Sequence, residues 1–122
     1  MRRRYAAMLK VAGAKEYIER HWLEKLDVQV IAKAFGISYS SLAPLFKQRE
    51  GVTMGQYYIK VKVDHIKEAL ADPSLSVAEA FACCGANNQS EAGKAFKRLT
   101  GMSPSEYRKS LESNQPADVG SR

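Results

Sequence analysis

Apolar residues recur at intervals of three and four along most of the chain, a spacing that places them on one face of an α-helix. The clearest runs lie within residues 14–22, 42–46 and 92–99. Residues 54–71 are predicted to form the longest helix, which ends before Pro73 because proline disfavours a helical conformation in the residue preceding it. No stretch alternates between apolar and polar residues as a half-buried strand does, so the pattern predicts an all-α protein.

The pattern also occurs twice. The second copy follows the first by 49 positions up to a glycine and by 50 positions beyond it. Each copy therefore predicts a short helix, a glycine turn, a second helix, another glycine and a third helix. The equivalent residues are Asp27 and Ser76, Val28 and Val77, Gly36 and Gly85, Phe46 and Phe96, Lys47 and Lys97, Gly51 and Gly101, and Tyr57 and Tyr107.

Polar residues mark the predicted starts of the helices. Three of them fit the capping box, in which the N-cap side chain and a Glu or Gln three positions later satisfy free backbone amides. Pro104 suits the first position of its helix, where the missing N–H costs nothing. The capping boxes pair Thr53 with Gln56, Ser76 with Glu79 and Ser103 with Glu106, and Ser38 and Asn88 are the predicted N-caps of the second helix in each copy.

These elements give two helix-turn-helix subdomains joined by a long central helix. The arm that contains Arg2, Arg3 and Arg4 is expected to lie along phosphates or in a minor groove, or else to be a disordered tail or the remnant of another domain. The predicted boundaries are residues 1–13 for this basic N-terminal arm, 14–53 for the first subdomain, 54–71 for the linker helix, 72–112 for the second subdomain and 113–122 for a disordered tail.

Composition narrows the class of protein. The chain has 122 residues, of which 45% are hydrophobic and 26% charged, as is typical of a globular protein. Its net charge of +6 favours a polyanionic partner, either nucleic acid or an acidic membrane surface. No apolar run is long enough to span a bilayer, and Lys10 and Lys15 interrupt the stretch where a signal peptide is apolar. We therefore expect a cytoplasmic protein that does not enter a membrane.

The two cysteines, Cys83 and Cys84, are adjacent and so cannot join distant segments. With no second cysteine pair, and only His21 and His65 as further ligands, the sequence predicts no zinc site. A catalytic cysteine needs a neighbouring base and a pocket, and the sequence indicates neither. We expect reduced, partly buried thiols, no enzymatic activity and no cofactor.

A helix-turn-helix holds its second helix on the outside, where it can enter a major groove of DNA. One helix pair joined by glycine is common in small all-α proteins, but a tandem pair with a basic excess favours DNA. Two such helices on a fixed spacer can reach successive major-groove segments, about 34 Å apart. Double-stranded DNA is thus the predicted partner and a monomer the predicted state. The alternative is a degenerate helix-turn-helix module that binds a polymerase subunit or another regulator.

Two segments of the chain form recognisable motifs. One is FKRLTGMSPSEYRK at residues 96–109, and the other is IAKAFGIS at residues 31–38, followed by Leu42, Leu45, Phe46, Lys47 and Gly51. Both resemble the corresponding segments of the AraC/XylS family of bacterial transcription regulators. The resemblance covers residues 14–110 in order and with family spacing. It implies a seven-helix DNA-binding domain with two recognition helices in adjacent major-groove segments. It also implies a role in transcription, usually activation through RNA polymerase. Residues 1–13 cannot hold a sensor domain, so we expect a stand-alone regulator or a fragment.

The first recognition helix is predicted over residues 39–49. Its outward hydroxyls can bond a base edge or a phosphate, and an alanine there can contact a thymine methyl. Pro44 stands where family members often carry a polar or basic residue that contacts bases, which favours a helix that binds mainly phosphates. The base-contacting candidates are Tyr39, Ser40 and Ala43, and the phosphate-binding candidates are Lys47 and Arg49.

The second recognition helix is predicted over residues 89–99 and carries more side chains that can hydrogen-bond to bases than the first. Gln89 can form two hydrogen bonds with adenine, and Lys94 can donate to guanine. Ser90 and Gly93 are small enough to let the backbone approach DNA. The alternative is that Gln89 and Lys94 form a solvated face. The phosphate-binding candidates are Lys97, Arg98 and Asn88, the last of which is also the predicted N-cap.

Three apolar positions depart from the family pattern. Ala86 and Ala92 stand where the family commonly has a bulky apolar residue, and Phe81 stands where its equivalent in the first copy, Ala32, is small. We hypothesise that the Phe81 ring fills the space left at Ala86 and Ala92.

Overall fold

The protein, described by a computed structural model over residues 2–86 and 89–113, contains seven α-helices and no strand in those residues. The predicted all-α fold is confirmed. The predicted N-cap Asn88 and nearly all of the predicted tail lie outside the described residues. The helices are α1 (Arg2–Arg20), α2 (Val28–Ala34), α3 (Tyr39–Glu50), α4 (Met54–Leu70), α5 (Val77–Cys83), α6 (Gln89–Thr100) and α7 (Pro104–Ser113).

α1 begins earlier than the sequence predicts. Residues 2–13, which were assigned to a basic arm, are helical, and Val11 is only 2% exposed in the hydrophobic core. Val11 precedes Ala14 and Ile18 by three and seven positions, so the apolar stripe of the helix continues one turn further towards the N-terminus.

The end of α1 also differs from the predicted helix. The spacing of apolar residues includes His21 and Trp22, whereas the helix ends at Arg20 and the chain turns. The His21 ring stacks on Tyr17 with centroids 4.2 Å apart, and its Nδ1 lies 2.9 Å from Glu24 Oε2. His21 therefore packs against Tyr17 from the turn that follows the helix.

The chain divides into two compact units, Met1–Lys62 and Val63–Arg122, and the division falls inside α4. This helix therefore contributes residues to both units, where the sequence predicts a separate linker. The first unit has a core of Val11, Ala14, Ile18, Ile31, Ala32, Leu42, Phe46, Met54 and Tyr57. The buried residues of the second unit include Val63, Ile66, Leu70, Ala80, Phe81, Cys84 and Phe96.

The predicted repeat is visible in the packing of both units. Phe46 of α3 meets Tyr57 of α4 edge to face, with ring centroids 5.9 Å apart. The equivalent pair, Phe96 of α6 and Tyr107 of α7, has the same arrangement at 5.5 Å. Each unit therefore builds its core around one aromatic pair from equivalent positions, in the geometry that aromatic rings prefer.

Equivalent glycines end α2 and α5. Gly36 and Gly85 have φ angles of +64° and +69°, a left-handed conformation that glycine adopts without steric cost. Beyond them, the amide of Ile37 donates to the carbonyl of Ala32 at 3.1 Å, and the amide of Ala86 donates to the carbonyl of Phe81 at 3.0 Å. This Schellman arrangement fixes the turn after both short helices.

The predicted capping boxes of α4, α5 and α7 are confirmed. In each, the N-cap amide donates to a Glu or Gln side chain at 2.8–2.9 Å, and the amide of that residue donates back to the N-cap hydroxyl at 3.0–3.2 Å. Pro104 is the first residue of α7, as predicted. The pairs are Thr53 with Gln56, Ser76 with Glu79 and Ser103 with Glu106.

Candidate nucleic-acid interface

α3 is held against the core of the first unit by Leu42 and Phe46, which are both fully buried. These residues lie four positions apart on one face of the helix, so the opposite face points outward. Ala43 is half-buried beside that face. The exposed residues of α3 are Tyr39, Ser40, Ser41, Pro44, Lys47, Gln48 and Arg49. The predicted contact residues of α3 are thus exposed or half-buried, although Lys47 and Arg49, two positions apart, point to different sides of the helix. Their contact with DNA stays a prediction.

Three serines form a hydrogen-bonded cluster at the start of α3. Ser38 is the N-cap, as predicted, and its hydroxyl accepts from the amide of Ser41 at 3.3 Å. The same hydroxyl donates to Ser41 Oγ at 3.0 Å and lies 3.2 Å from Ser40 Oγ. Because a hydroxyl has one proton, Ser40 donates to Ser38 when Ser38 donates to Ser41. Ser40 is exposed, so its hydroxyl can also turn towards a base edge or a phosphate.

Pro44 lies inside α3, and the helix continues past it to Glu50. Proline has no N–H, so it cannot donate to the carbonyl of Ser40 one turn earlier. Leu42 and Phe46, one on each side of Pro44, are buried and offset this local loss through packing. The outer surface of α3 therefore carries an apolar ring in its middle.

An open groove of 510 Å³ runs beside the outer face of α3. Tyr39, Ala43, Pro44 and Lys47 form one side of it. The other lining residues come from the starts of α2 and α4 and are Val28, Thr53, Met54 and Gly55. A surface of this kind can receive a ridge of a partner molecule on apolar side chains, with one cation at its edge.

The C-terminal end of α3 is positively charged. Lys47 and Arg49 are exposed, whereas Glu50 forms an ion pair with Lys15 of α1 at 3.2 Å. The pairing draws the Glu50 carboxylate towards α1, which lowers its repulsion of an anion near Lys47. Phosphate binding by Lys47 and Arg49 is therefore electrostatically allowed.

α6 has the same organisation in the second unit. Phe96 is fully buried and anchors the helix, while the basic residues face solvent. Gln89 is the first residue of the helix, but its side chain and the whole of Asn88 lie outside the described part of the structure. The exposed candidates are Ser90, Lys94, Lys97 and Arg98.

Gly93 occupies a mid-helix position on α6 where the fold does not require glycine. A Cβ atom built on Gly93 would meet nothing within 4 Å, and its φ lies outside the left-handed region. Glycine in a helix interior costs about 1 kcal/mol relative to alanine. Gly93 therefore lowers the stability of α6 at a half-buried position that has room for a side chain. This position lies between Ser90 and Lys94 in the sequence.

Comparison with known proteins also gives a helix-turn-helix domain over most of this chain. A family model described as a helix-turn-helix domain matches residues 31–110. The Msm operon regulatory protein of Streptococcus mutans is 31% identical over 104 residues, which are 85% of this chain and 37% of that protein. The chain belongs to the AraC/XylS family.

Two solved structures place the fold of this AraC/XylS chain among known ones. A transcriptional regulator of Chromobacterium violaceum with an AraC-type DNA-binding domain matches at a TM-score of 0.78 and 25% identity, over 89% of this chain and 96% of that one. The DNA-binding domain of AdpA, solved in complex with a target DNA, matches at 0.77 and 24% identity, over 87% and 96%. The chain spans little more than a third of the length of the curated relatives it matches.

Some residues of the AraC/XylS surface escape prediction from the sequence. The capping box marks Thr53 as the start of α4, but it does not show that Thr53 and Gly55 line a groove with Tyr39. The sequence marks Val28 only as the equivalent of Val77 in the repeat and does not show that Val28 lines the groove. Their convergence depends on how α2, α3 and α4 pack, which local sequence signals do not report.

The other candidate chemistries gain no support from the geometry of the AraC/XylS domain. Within residues 2–86 and 89–113, no group of three or more His, Cys, Asp or Glu side chains could hold a metal ion. Cys83 is exposed and Cys84 is buried, and the two are not joined by a disulfide. Over the same residues, every helix is too short or too polar to cross a membrane.

Proposed function

We propose that this chain is a sequence-specific regulator of transcription that places α3 and α6 in adjacent major-groove segments of double-stranded DNA. The observation that carries this proposal is the repetition of one exposed helix. α3 and α6 have 12 residues each, begin 50 positions apart and are each anchored by an equivalent buried phenylalanine. An outer helix of a helix-turn-helix is the element that enters a major groove.

Phosphate contacts supply most of the affinity in this proposal. Lys47 and Lys97 are equivalent in the repeat and both exposed, and each is accompanied by an exposed arginine, Arg49 or Arg98. These cations sit near the C-terminal ends of α3 and α6. They hold the two helices to the DNA backbone but carry no sequence information.

Most of the hydrogen-bonded discrimination between bases belongs to α6. Gln89 bonds an adenine with its amide, and Lys94 donates to a guanine. Ser90 and Gly93 let the helix backbone approach the bases. On α3, the equivalent of Lys94 is Pro44, which cannot donate a hydrogen bond.

Activation through contact with RNA polymerase is the regulatory role we assign to the chain, in line with its AraC/XylS membership. Because one chain already holds two recognition helices, a monomer can occupy two half-sites that a protein with one such helix fills as a dimer. We therefore assign the monomer as the DNA-binding state.

The test is the affinity of the chain for random duplex DNA as a function of salt, followed by selection of bound sequences from a randomised pool. Six phosphate contacts give a fall in affinity of roughly a thousandfold between 50 and 200 mM salt. The selected site should contain two conserved patches about one helical turn apart. In Gln89→Ala and Lys94→Ala, discrimination should be lost at one patch alone.

Two other outcomes contradict the proposal in different ways. A steep salt dependence without an enriched sequence describes a protein that binds the DNA backbone and takes its target from elsewhere. Absence of DNA binding at low salt would leave the helix-turn-helix as a protein-binding module, and the search would turn to polymerase subunits and other regulators.

A further inference from the structure

The outer surfaces of α3 and α6 differ in chemistry at equivalent positions. Ala43 and Pro44 on α3 correspond to Gly93 and Lys94 on α6. On α3 these positions carry hydrocarbon, with Pro44 exposed and Ala43 half-buried in the groove wall next to Tyr39. On α6 they carry an open backbone and a cation. The two helices are therefore built to distinguish bases by different interactions.

The outward positions Ala43 and Pro44 of α3 carry no side-chain hydrogen-bond donor. The exposed donors nearest to Pro44 on the same face are Ser41, three positions earlier, and Gln48, four positions later. The Ser40 hydroxyl hydrogen-bonds Ser38, and the Tyr39 hydroxyl stands on a ring that also lines the groove. Lys47 lies one turn further along the helix at the edge of the groove, where it suits a phosphate better than a base.

An apolar surface in a major groove has one sequence-specific target, the C5-methyl group of thymine. The cations Lys47 and Arg49 follow the apolar part of α3 at its C-terminal end, where they can bind DNA phosphates. Charge complementarity thus orients the helix to DNA, while the hydrocarbon in its middle meets the base edges. Burying one methyl group changes an equilibrium constant about fourfold.

We infer that α3 selects its half-site through the C5-methyl groups of thymines, which contact Ala43, Pro44 and the ring of Tyr39, and not through hydrogen bonds to base edges. This inference rests on the proposed function, because it names the chemistry by which one of the two recognition helices distinguishes sequences. It predicts a half-site in which thymine is preferred over cytosine and over uracil at the contacted positions.

The experiment uses the full chain and the duplex selected from the randomised pool, with deoxyuridine replacing thymine in one half-site at a time. This replacement removes the methyl group and leaves all base pairs intact. The half-site of α6 is the one whose discrimination Lys94→Ala weakens. We expect deoxyuridine in the α3 half-site to raise Kd about fourfold per contacted methyl group. The same replacement in the α6 half-site should change Kd by less than twofold.

Variants of α3 identify the protein side of the contact. The ratio of Kd for the deoxyuridine and thymine duplexes is measured within each variant, so any loss of folded protein cancels. Ala43→Gly and Pro44→Ala should each bring this ratio closer to one. Tyr39→Phe should leave it unchanged, since the ring is retained.

The results separate this inference from the proposed function. If the selected duplex binds tightly but deoxyuridine has no effect, or if the α3 half-site contains no thymine, methyl recognition is wrong and the proposed function stands. A loss of binding in Tyr39→Phe equal to that from removing the methyl group would assign the recognition to a hydrogen bond and overturn the inference. If no sequence is enriched at all, both fail.

Discussion

At the scale of single residues, glycines show where the fold and the proposed function make different demands. Gly13 of α1 is required by packing, because a Cβ atom there would lie 2.5 Å from Cε1 of the Phe35 ring. Gly93 of α6 has open space around it and an ordinary φ, so nothing in the fold requires it. The structure thus separates a glycine that the packing requires from one that it does not require.

Replacing Gly93 should separate stability from DNA binding. Gly93→Ala is expected to raise the free energy of unfolding by about 1 kcal/mol, because alanine is the better helix former and its methyl group has room. The same change should weaken DNA binding, and Gly93→Leu should weaken it further, since each side chain holds the helix away from the bases. Thermal unfolding and Kd for the selected duplex are the measurements. Equal Kd values for all three proteins would show that α6 does not approach DNA at Gly93.

Replacing Gly13 should have the opposite effect on stability. In Gly13→Ala the added methyl group must displace the half-buried Phe35 ring, and overpacking of this kind costs about 1–3 kcal/mol. Gly55→Ala is the matched control, because the nearest atom to its Cβ would be Thr53 Oγ1 at an ordinary 3.8 Å. Denaturant unfolding should show a loss for Gly13→Ala, a gain for Gly55→Ala and partial recovery in Gly13→Ala with Phe35→Leu. A gain in both single variants would contradict the packing role.

At the scale of elements, α4, α5 and α7 each begin with a capping box. Reciprocal hydrogen bonds between the N-cap and the third helical residue begin α4, α5 and α7. In α7, the amide and hydroxyl of Ser103 hydrogen-bond the Glu106 carboxylate and hold its pKa below the usual value. The start of α7 is therefore sensitive to acid.

The pH dependence of stability should show this sensitivity. Because the folded-state pKa of Glu106 is lowered, its contribution is present above the ordinary glutamate range and is lost as the pH falls through the lowered pKa. Glu106→Gln keeps an acceptor for the Ser103 amide but cannot ionise, so the parent should be the more stable protein at neutral pH and the two should converge in acid. Denaturant unfolding from neutral to acidic pH measures the difference. Glu112→Gln, exposed on the same helix outside the capping box, is the control, and a difference between parent and Glu106→Gln that does not change with pH would refute the assignment.

At the scale of the whole molecule, the repeat sets the organisation of both units. The first two helices of the repeat have equal lengths, 7 residues for α2 and α5 and 12 for α3 and α6. Aromatic pairs and turn glycines also recur at equivalent positions in Met1–Lys62 and Val63–Arg122. The net charge of +6 is unevenly distributed, because residues 1–62 hold 12 Lys and Arg against 5 Asp and Glu, whereas residues 63–122 hold 7 against 8. Lys47 and Lys97 nevertheless occupy equivalent places in the two units. If both units bind the DNA backbone, these two lysines should make equal contributions.

The salt dependence of DNA binding should report that equality. Lys47→Ala and Lys97→Ala should each reduce the slope of log K against log salt by about 0.9, and the double variant by about 1.8, because each lysine neutralises one phosphate. Lys25→Ala, which removes an exposed lysine from the turn between α1 and α2, is the control and should leave the slope unchanged. A change in the slope for one lysine only would mean that a single unit contacts the DNA backbone.

The sequence by itself determined the all-α class, the tandem repeat, the capping boxes and the bounds of α3 and α6 to within a residue. These features depend on residues within three or four positions of one another, through amphipathic spacing, N-cap hydrogen bonds and glycine turns. They can therefore be predicted from short segments of the sequence. The AraC/XylS resemblance added the count of seven helices.

Only the tertiary structure decided which distant residues meet. The burial of Val11, the contact of Gly13 with Phe35, the hydrogen bond from Tyr57 to Glu19 and the groove that joins Tyr39 to Thr53 all connect different helices. The sequence did not show them, because contacts of this kind depend on how whole helices pack and not on the spacing of residues within one helix.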